Sequence, residues 1–154
     1  MAYRTIVLKG DPIRKELKAG GTITPGHLVM RNSSNAVVVH NAAGGNASAH
    51  FALEDSLQGN GVDDNYSSGN RVQTAMLSTG MEVAAILTTS QTIVIGDLLE
   101  STGNGTVRIY NPTEADSAGV LGNAEVIYPH APILRAIEAV TTTGSTARIA
   151  CEVI

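Results

Sequence analysis

The sequence Thr22–Val29 (TITPGHLV) recurs as Thr92–Leu99 (TIVIGDLL), 70 residues further along the chain. In both copies a β-branched run leads to a glycine, which can take the positive φ of a tight turn, and then to a second apolar run. Such self-similarity indicates two related structural units. Three further pairs of segments align in the same order: Val37–Asn41 with Val107–Asn111, Phe51–Asp55 with Arg135–Ala139, and Arg71–Ala75 with Arg148–Glu152.

The rest of the chain alternates short β-branched runs with Gly, Asn and Ser clusters, which predicts an all-β fold of hairpins. Neither unit could bury its apolar face alone, so we expect one small β-barrel or sandwich-like domain over residues 21–154. Its related halves span about 21–77 and 92–154; chance alignment of strand-and-turn patterns is the alternative. Polar loops are expected at 55–70 and 111–131. The predicted strands are 28–30, 36–40, 48–54, 71–77, 82–87, 92–95, 97–100, 106–110, 133–140 and 146–153.

Composition limits the function classes open to this protein. The chain has 154 residues, of which 3% are aromatic and 16% charged, and a net charge of −4. So few rings cannot supply the stacking platforms of proteins that bind single-stranded nucleic acid, and a negative charge repels phosphate. No apolar run approaches the roughly 20 residues of a membrane-spanning helix, and no export signal is expected. We therefore expect neither nucleic acid nor membrane as a partner.

The basic residues are concentrated at the start of the chain. Residues 1–18 hold five of the ten Lys and Arg with two acids, a net +3, whereas the remainder carries −7. A solvated tail is one interpretation. The other is an extended basic arm, residues 1–20, whose apolar side chains gain from burial or strand pairing on an acidic surface. The arm residues expected to bind a partner or a neighbouring copy are Tyr3, Arg4, Ile6, Leu8, Lys9, Arg14, Lys15 and Lys18.

Two further expectations concern the same segment. Asp11 is a suitable N-cap before Pro12 at a first helical position, and Ile13 and Leu17 stand four residues apart. This pattern predicts one or two turns of helix. Removal of residues 2–18 is expected to leave a folded β domain.

No catalytic, cofactor or metal site emerges from the sequence. Glu54 and Glu138 occupy equivalent repeat positions, and we expect structural acids paired with arginine rather than a catalytic dyad. Asp63–Asn65 lacks the glycine and distant glutamate of a calcium loop, and Cys151 alternates with apolar neighbours as a buried residue does. The histidines, which lack the spacing of a zinc site, are His27, His40, His50 and His130. The loop residues that remain candidates for an interface are Asp63, Asp64 and Tyr66.

Four groups of residues spread over 10–154 follow one another in a characteristic order. They are Lys18–Val29; Phe51–Gly59 with Val62–Tyr66; Ile95–Ser101 with Gly103–Gly105; and Ala136–Val140 with Ala147–Ile154. This ordered set resembles the small capsid decoration, or cement, proteins of tailed bacteriophages. Those proteins commonly end on the strand RIRVEV, where this chain has RIACEV at Arg148–Val153, and the segment 111–131 matches least.

The resemblance implies a non-enzymatic virion protein on the outer surface of the expanded head, which it stabilises against the pressure of packaged DNA. Such proteins commonly form homotrimers at three-fold positions and clamp neighbouring subunits. The implied partners are the major capsid protein and further copies of this chain, with exchange of arms between neighbours. The alternatives are another virion component, such as a tail or baseplate unit, and a hydrolase.

Overall fold

A computed structural model describes residues 2–111 and 131–154, and these residues form an all-β structure, as predicted. The strands are β1 (Val7–Lys9), β2 (Ile13–Lys18), β3 (Val29–Arg31), β4 (Val37–Val39), β5 (His50–Ala52), β6 (Arg71–Met76), β7 (Glu82–Leu87), β8 (Thr92–Ile93), β9 (Leu98–Ser101), β10 (Val107–Ile109), β11 (Leu134–Ala136), β12 (Val140–Thr141) and β13 (Ala147–Val153). In the described part of the chain no helix is long and apolar enough to cross a membrane.

The second half of the chain closes into a five-stranded barrel. Its strands follow one another in the order β7, β10, β9, β11 and β13, and β13 returns to pair with β7. All neighbours are antiparallel except β10 and β7, which meet in parallel at Val107 and Leu87. Closure leaves no open edge inside the ring, which satisfies the backbone of these short strands.

The first half repeats this circuit in the order β2, β4, β3, β5 and β6. Strands β3 and β4 form a hairpin, and β6 pairs with both β5 and β2. Two single bridges complete the ring: Ala19 with Val37, in parallel, and Leu28 with Phe51. The parallel bridge is the counterpart of the contact between Val107 and Leu87 in the second barrel.

The duplication extends to individual hydrogen bonds. The Gly26 N–H donates to the Ala52 carbonyl, and the Gly96 N–H donates to the Ala136 carbonyl, both at distances near those of ordinary backbone bonds (2.8 and 2.9 Å). The pairing of Val29 with Val39 has its counterpart 70 residues later in the register of the β9–β10 hairpin. These equivalent contacts support the interpretation of the chain as a duplication, and on that interpretation the units begin at β2 and β7 rather than near residues 21 and 92.

The helix predicted after Pro12 is wrong. Residues Ile13–Lys18 form β2, which pairs along its whole length with β6. A single turn of helix would gain few hydrogen bonds for the cost of nucleation, whereas β2 gains a six-residue ladder and the barrel gains a wall. The spacing of Ile13 and Leu17 that suggested a helix is equally compatible with alternation in a strand, where both lie on one face.

Equivalent apolar residues fill the two barrels. The smaller buried cluster lies inside the first barrel, while the larger one fills the second and continues between the barrels through Leu28, Phe51 and Leu53. Small aliphatic residues thus replace the aromatic rings that the sequence lacks. The matched interior positions are Leu17 and Ala85, Ala19 and Leu87, Ile23 and Ile93, Val29 and Leu99, Val37 and Val107, Ala52 and Ala136, Tyr66 and Val140, and Val72 and Ile149.

The two predicted loops have different outcomes. Residues 55–70 contain one short 3₁₀ turn, Ser56–Gln58, and a bridge from Tyr66 to Ile23, so this long polar segment is confirmed as an excursion. The predicted loop at 111–131 lies almost entirely outside the described residues.

Gly26 and Gly96 separate two reasons for a glycine, a positive φ and close packing against a neighbouring element. Both have positive φ, +95° and +97°, at equivalent turns. A Cβ on Gly26 would lie 3.0 Å from the Ala84 carbonyl oxygen and 3.1 Å from Cγ1 of Ile86, on the second barrel, whereas a Cβ on Gly96 would meet no atom of the described residues within 4 Å. Of these two glycines, Gly26 is therefore the one that allows the barrels to approach closely.

We expect Gly96→Ala to cost about 1–3 kcal/mol of unfolding free energy from backbone strain alone. Gly26→Ala should cost about 1–3 kcal/mol more, because the added methyl group also overpacks the contact between barrels. Denaturant unfolding of both variants measures the difference. Equal losses would show that close approach of the barrels at Gly26 contributes nothing.

Candidate interaction surface

The N-terminal segment, residues 2–9, is held by the two position-equivalent glutamates. The Ile6 N–H donates to Oε2 of Glu54 at 3.0 Å, and the Thr5 hydroxyl donates to Oε1 of the same carboxylate at 2.5 Å. On the second barrel, the Tyr3 hydroxyl donates to Glu138, which also accepts from the Ala150 N–H at 2.7 Å. Glu54 and Glu138 thus hold this segment, whereas the sequence predicted that they would pair with arginine.

Strand β1 and its neighbours anchor the same segment in the fold. Ile6 is fully buried in the larger core cluster, and Val7 pairs with Val83 on β7. Lys9 forms an ion pair with Glu82 at 3.1 Å, and burial together with Glu138 raises the pKa of Tyr3. The picture of a free extended arm over residues 1–20 is therefore wrong, because its apolar residues find their burial within the same chain.

The expectation that a chain lacking residues 2–18 still folds must also be corrected. Such a truncation would remove Ile6 from the core and β2 from the ring of the first barrel.

Ile6 and Ile13 provide a matched test of this role. Ile6→Ala should lower the unfolding free energy by about 2–5 kcal/mol, because it leaves a cavity in the core. Ile13 is 68% exposed, so Ile13→Ala should stay within about 0.5 kcal/mol of the parent chain. Denaturant unfolding decides between them. Similar small effects for both variants would mean that the N-terminal segment is not part of the core.

The remaining basic residues of the predicted arm form an exposed cationic strand on β2. Arg14, Lys15 and Lys18 are solvent-exposed, and no carboxylate of the described residues lies within 4.0 Å of their charged groups. Glu16, between them, is engaged by Arg71 at 3.6 Å and by the Gln73 amide at 3.1 Å. Strand β2 thus presents three unneutralised cations on a rigid wall, and this is the strongest candidate interaction surface in the described chain.

The other predicted arm residues divide between solvent and fold. Arg4 is exposed, and Leu8 is half-buried beside β7.

The predicted interface loop contributes one exposed contact and one buried anchor. Asp63 is exposed and accepts from Nη1 of Arg148 at 2.8 Å, while Asp64 closes its own turn by accepting from the Gly61 N–H. Tyr66 is instead buried inside the first barrel, where its hydroxyl donates to the Leu53 carbonyl at 2.7 Å. Burial raises the pKa of Tyr66 to about 12. Tyr66 therefore stabilises the barrel rather than an interface.

Arg148 is a residue that the sequence reasoning missed. Its guanidinium donates to the carbonyls of Pro25 and Val62 and to Asp63, so it fastens the long loop to both barrels. The available signal was a charged residue next to Ile149 in a largely apolar strand. Burial lowers the pKa of His27, and the positive charge of Arg148 lowers it further.

The histidine and cysteine side chains of the described residues form neither a metal site nor a nucleophile. The described residues hold no group of three or more His, Cys, Asp or Glu side chains able to bind a metal, and His130 lies outside them. The His40 ring nitrogens are hydrogen-bonded to Ser101 Oγ at 2.7 Å and to the Asn46 carbonyl oxygen at 3.1 Å. Cys151 is buried, and burial raises the pKa of its thiol, so the interpretation as a small core residue is confirmed.

His50 gives the folded protein a titration in mildly acidic solution. Burial lowers its pKa to about 4, with further lowering by the cations of Lys15 on β2 and Arg31 on β3. His40 and Met76, which line the same cavity, add no carboxylate. A folded-state pKa below the unfolded value of 6.5 stabilises the neutral form, so this contribution is complete above pH 6.5 and is lost as pH falls toward 4.

We therefore expect His50→Leu to make stability less dependent on pH. Between about pH 7 and pH 4, the parent chain should lose more unfolding free energy than the variant, because its unfolded state takes up the His50 proton first. Denaturant unfolding across that range measures the effect, and the difference between the two proteins cancels the carboxylates they share. Parallel curves would contradict the assignment.

Comparison with known proteins shows the fold. No family model and no curated protein matches this chain. Among solved structures, the crystal structure of the head fiber gp8.5 N base of bacteriophage phi29 is similar, with a TM-score of 0.53 and 10% sequence identity. The likeness covers 92% of this chain and 93% of that one, so the similarity extends over nearly the whole of both chains.

Proposed function

We propose that this protein is a non-enzymatic virion component of a tailed bacteriophage, a decoration or cement protein on the outer surface of the head. The observation that carries the proposal is the fold shared along nearly the full length with the base of a phage head fiber. The order of the sequence segments that resemble cement proteins supports it independently.

The architecture suits such a role mechanically. Both barrels bury small, tightly fitting side chains, which makes a stiff body. The glutamates Glu54 and Glu138 tie the N-terminal segment to both units, so a load applied to one barrel is carried by the other. A stiff body of this kind can clamp several shell subunits.

The proposed partners are the major capsid protein and two further copies of this chain in a homotrimer. A protein that binds only the assembled, expanded shell stabilises that state by the free energy of its binding. Many copies on one particle multiply weak single contacts. Strand β2, with Arg14 and Lys18 on its outer face, is the surface that we assign to the shell. In this structure residues 3–9 bind within their own chain. We propose that the same segment can exchange between neighbouring copies.

Expanded heads lacking decoration provide the test. Purified protein should bind them saturably, with a stoichiometry tied to three-fold positions, and raise the temperature at which they release DNA. Binding to tails or baseplates with none to heads would assign the protein to another part of the virion.

The cationic strand has its own prediction. Arg14→Gln combined with Lys18→Gln should weaken head binding about tenfold or more and reduce its dependence on salt, because two unneutralised cations are lost. Arg135→Gln, a control on the second barrel whose side chain is 51% exposed beside Glu152, should change binding little. Equal effects of both changes would remove β2 from the interface.

A further inference from the structure

The two barrels differ most at one end. In the second barrel the end is sealed by side chains that are at most 4% exposed. In the first barrel the matched positions surround a cavity of about 330 Å³. The matched positions, first barrel before second, are Lys15 and Val83, Arg31 and Ser101, His50 and Leu134, and Met76 and Val153. We call the residues of the first barrel at these positions the open mouth.

A buried polar atom of the open mouth lacks a partner among the described residues. His50 is 5% exposed, and its Nε2 is shielded from solvent yet makes no hydrogen bond to residues 2–111 or 131–154. An unpaired buried nitrogen costs free energy that the second barrel avoids by having Leu134 there. An unsatisfied group of this kind in a native cavity points to a ligand that supplies the missing hydrogen bond.

The charges around the cavity define that ligand. Lys15 and Arg31 line it, and both act on His50 electrostatically. Arg31 donates through Nη1 to the Asn35 side chain at 2.9 Å. A guanidinium has five N–H donors, so the other N–H groups of Arg31 can donate to a ligand. Two cations and a neutral imidazole favour an anion.

The remaining lining distinguishes among anions. Val29, Met30, Ala47 and Met76 form an apolar wall beside the charges. A glutamate or aspartate side chain has both the carboxylate for the cations and the methylene stem for this wall, whereas inorganic phosphate has no apolar part. We propose that the open mouth of the first barrel binds a carboxylate side chain carried by an extended segment of a partner protein.

The backbone next to the open mouth supports a peptide carrier. The Gln73 carbonyl faces β5, where it accepts from the Leu53 N–H. Gln73 is paired with Glu16, and backbone groups alternate in direction along antiparallel strands. The backbone groups of Glu16 and Arg14 therefore point away from β6. Among the described residues, this outer edge is paired only beyond the strand, at Ala19.

The second barrel shows what such an edge accepts. There the Ala84 N–H of β7 donates to the Ile6 carbonyl at 2.8 Å, and β1 adds as a short antiparallel strand. A peptide added to β2 in the same way would place alternate side chains on the face of Lys15, toward the cavity.

Peptide titration followed by imidazole NMR of the whole protein tests the proposal. The probes are a capped TVEVT pentapeptide, its TVQVT counterpart and inorganic phosphate. The glutamate peptide should bind about tenfold or more tightly than the glutamine peptide, because charge-assisted hydrogen bonds are the stronger ones. On binding it should shift the His50 resonances and raise the pKa of His50.

Variants that copy the second barrel give the matched controls. Lys15→Val combined with His50→Leu should abolish binding of the glutamate peptide, and Arg135→Gln, which removes one exposed charge on the second barrel, should leave it within about twofold. If the double variant does not fold, Arg31→Ser, which copies Ser101, should weaken binding about tenfold. Equal binding of both peptides, saturation by phosphate with no response to the glutamate peptide, or retained binding by a folded Lys15→Val/His50→Leu protein would overturn the proposal.

Discussion

Closure of the backbone hydrogen-bond ring is the constraint on which the rest of the structure depends. In each barrel the last step of closure is one parallel contact, between Ala19 and Val37 or between Leu87 and Val107. Strands of two to seven residues are too short to be stable as open sheets. Each ring must therefore close for water to be excluded from its apolar interior. This explains why residues 13–19 belong to the fold although their composition suggests a tail.

Closure also explains the unusual composition. The interior of a five-stranded barrel is narrow, and its matched positions hold Val, Ile, Leu and Ala, with Tyr66 as the one large ring in the smaller cluster. Phe51, the single phenylalanine, belongs to the larger cluster and packs between the barrels. A shortage of aromatic residues, which in the sequence only argued against ring-stacking functions, is what allows two small barrels in one chain.

The sequence predicted the parts of the fold that depend on local pattern. Strand positions and the duplication follow from β-branched runs and from the repeated turns at Gly26 and Gly96, and these recur in the structure with equivalent registers. The N-terminal segment could not be predicted in this way. The partners of Ile6 and Lys15 lie more than 45 residues away along the chain, and charge counting does not show which residues meet across such distances.

Equivalent positions of the two barrels differ most where the chain is most charged. A duplicated fold offers two solutions to one packing problem, so a difference between them has a cause in something other than packing. Val83 and Leu134 show that the barrel end can be sealed with apolar residues. Lys15 and His50 at the same positions make the first barrel less well satisfied, a cost that stability alone would not retain. Divergence toward charge at a position whose counterpart is apolar is therefore what the proposed binding of a carboxylate would require.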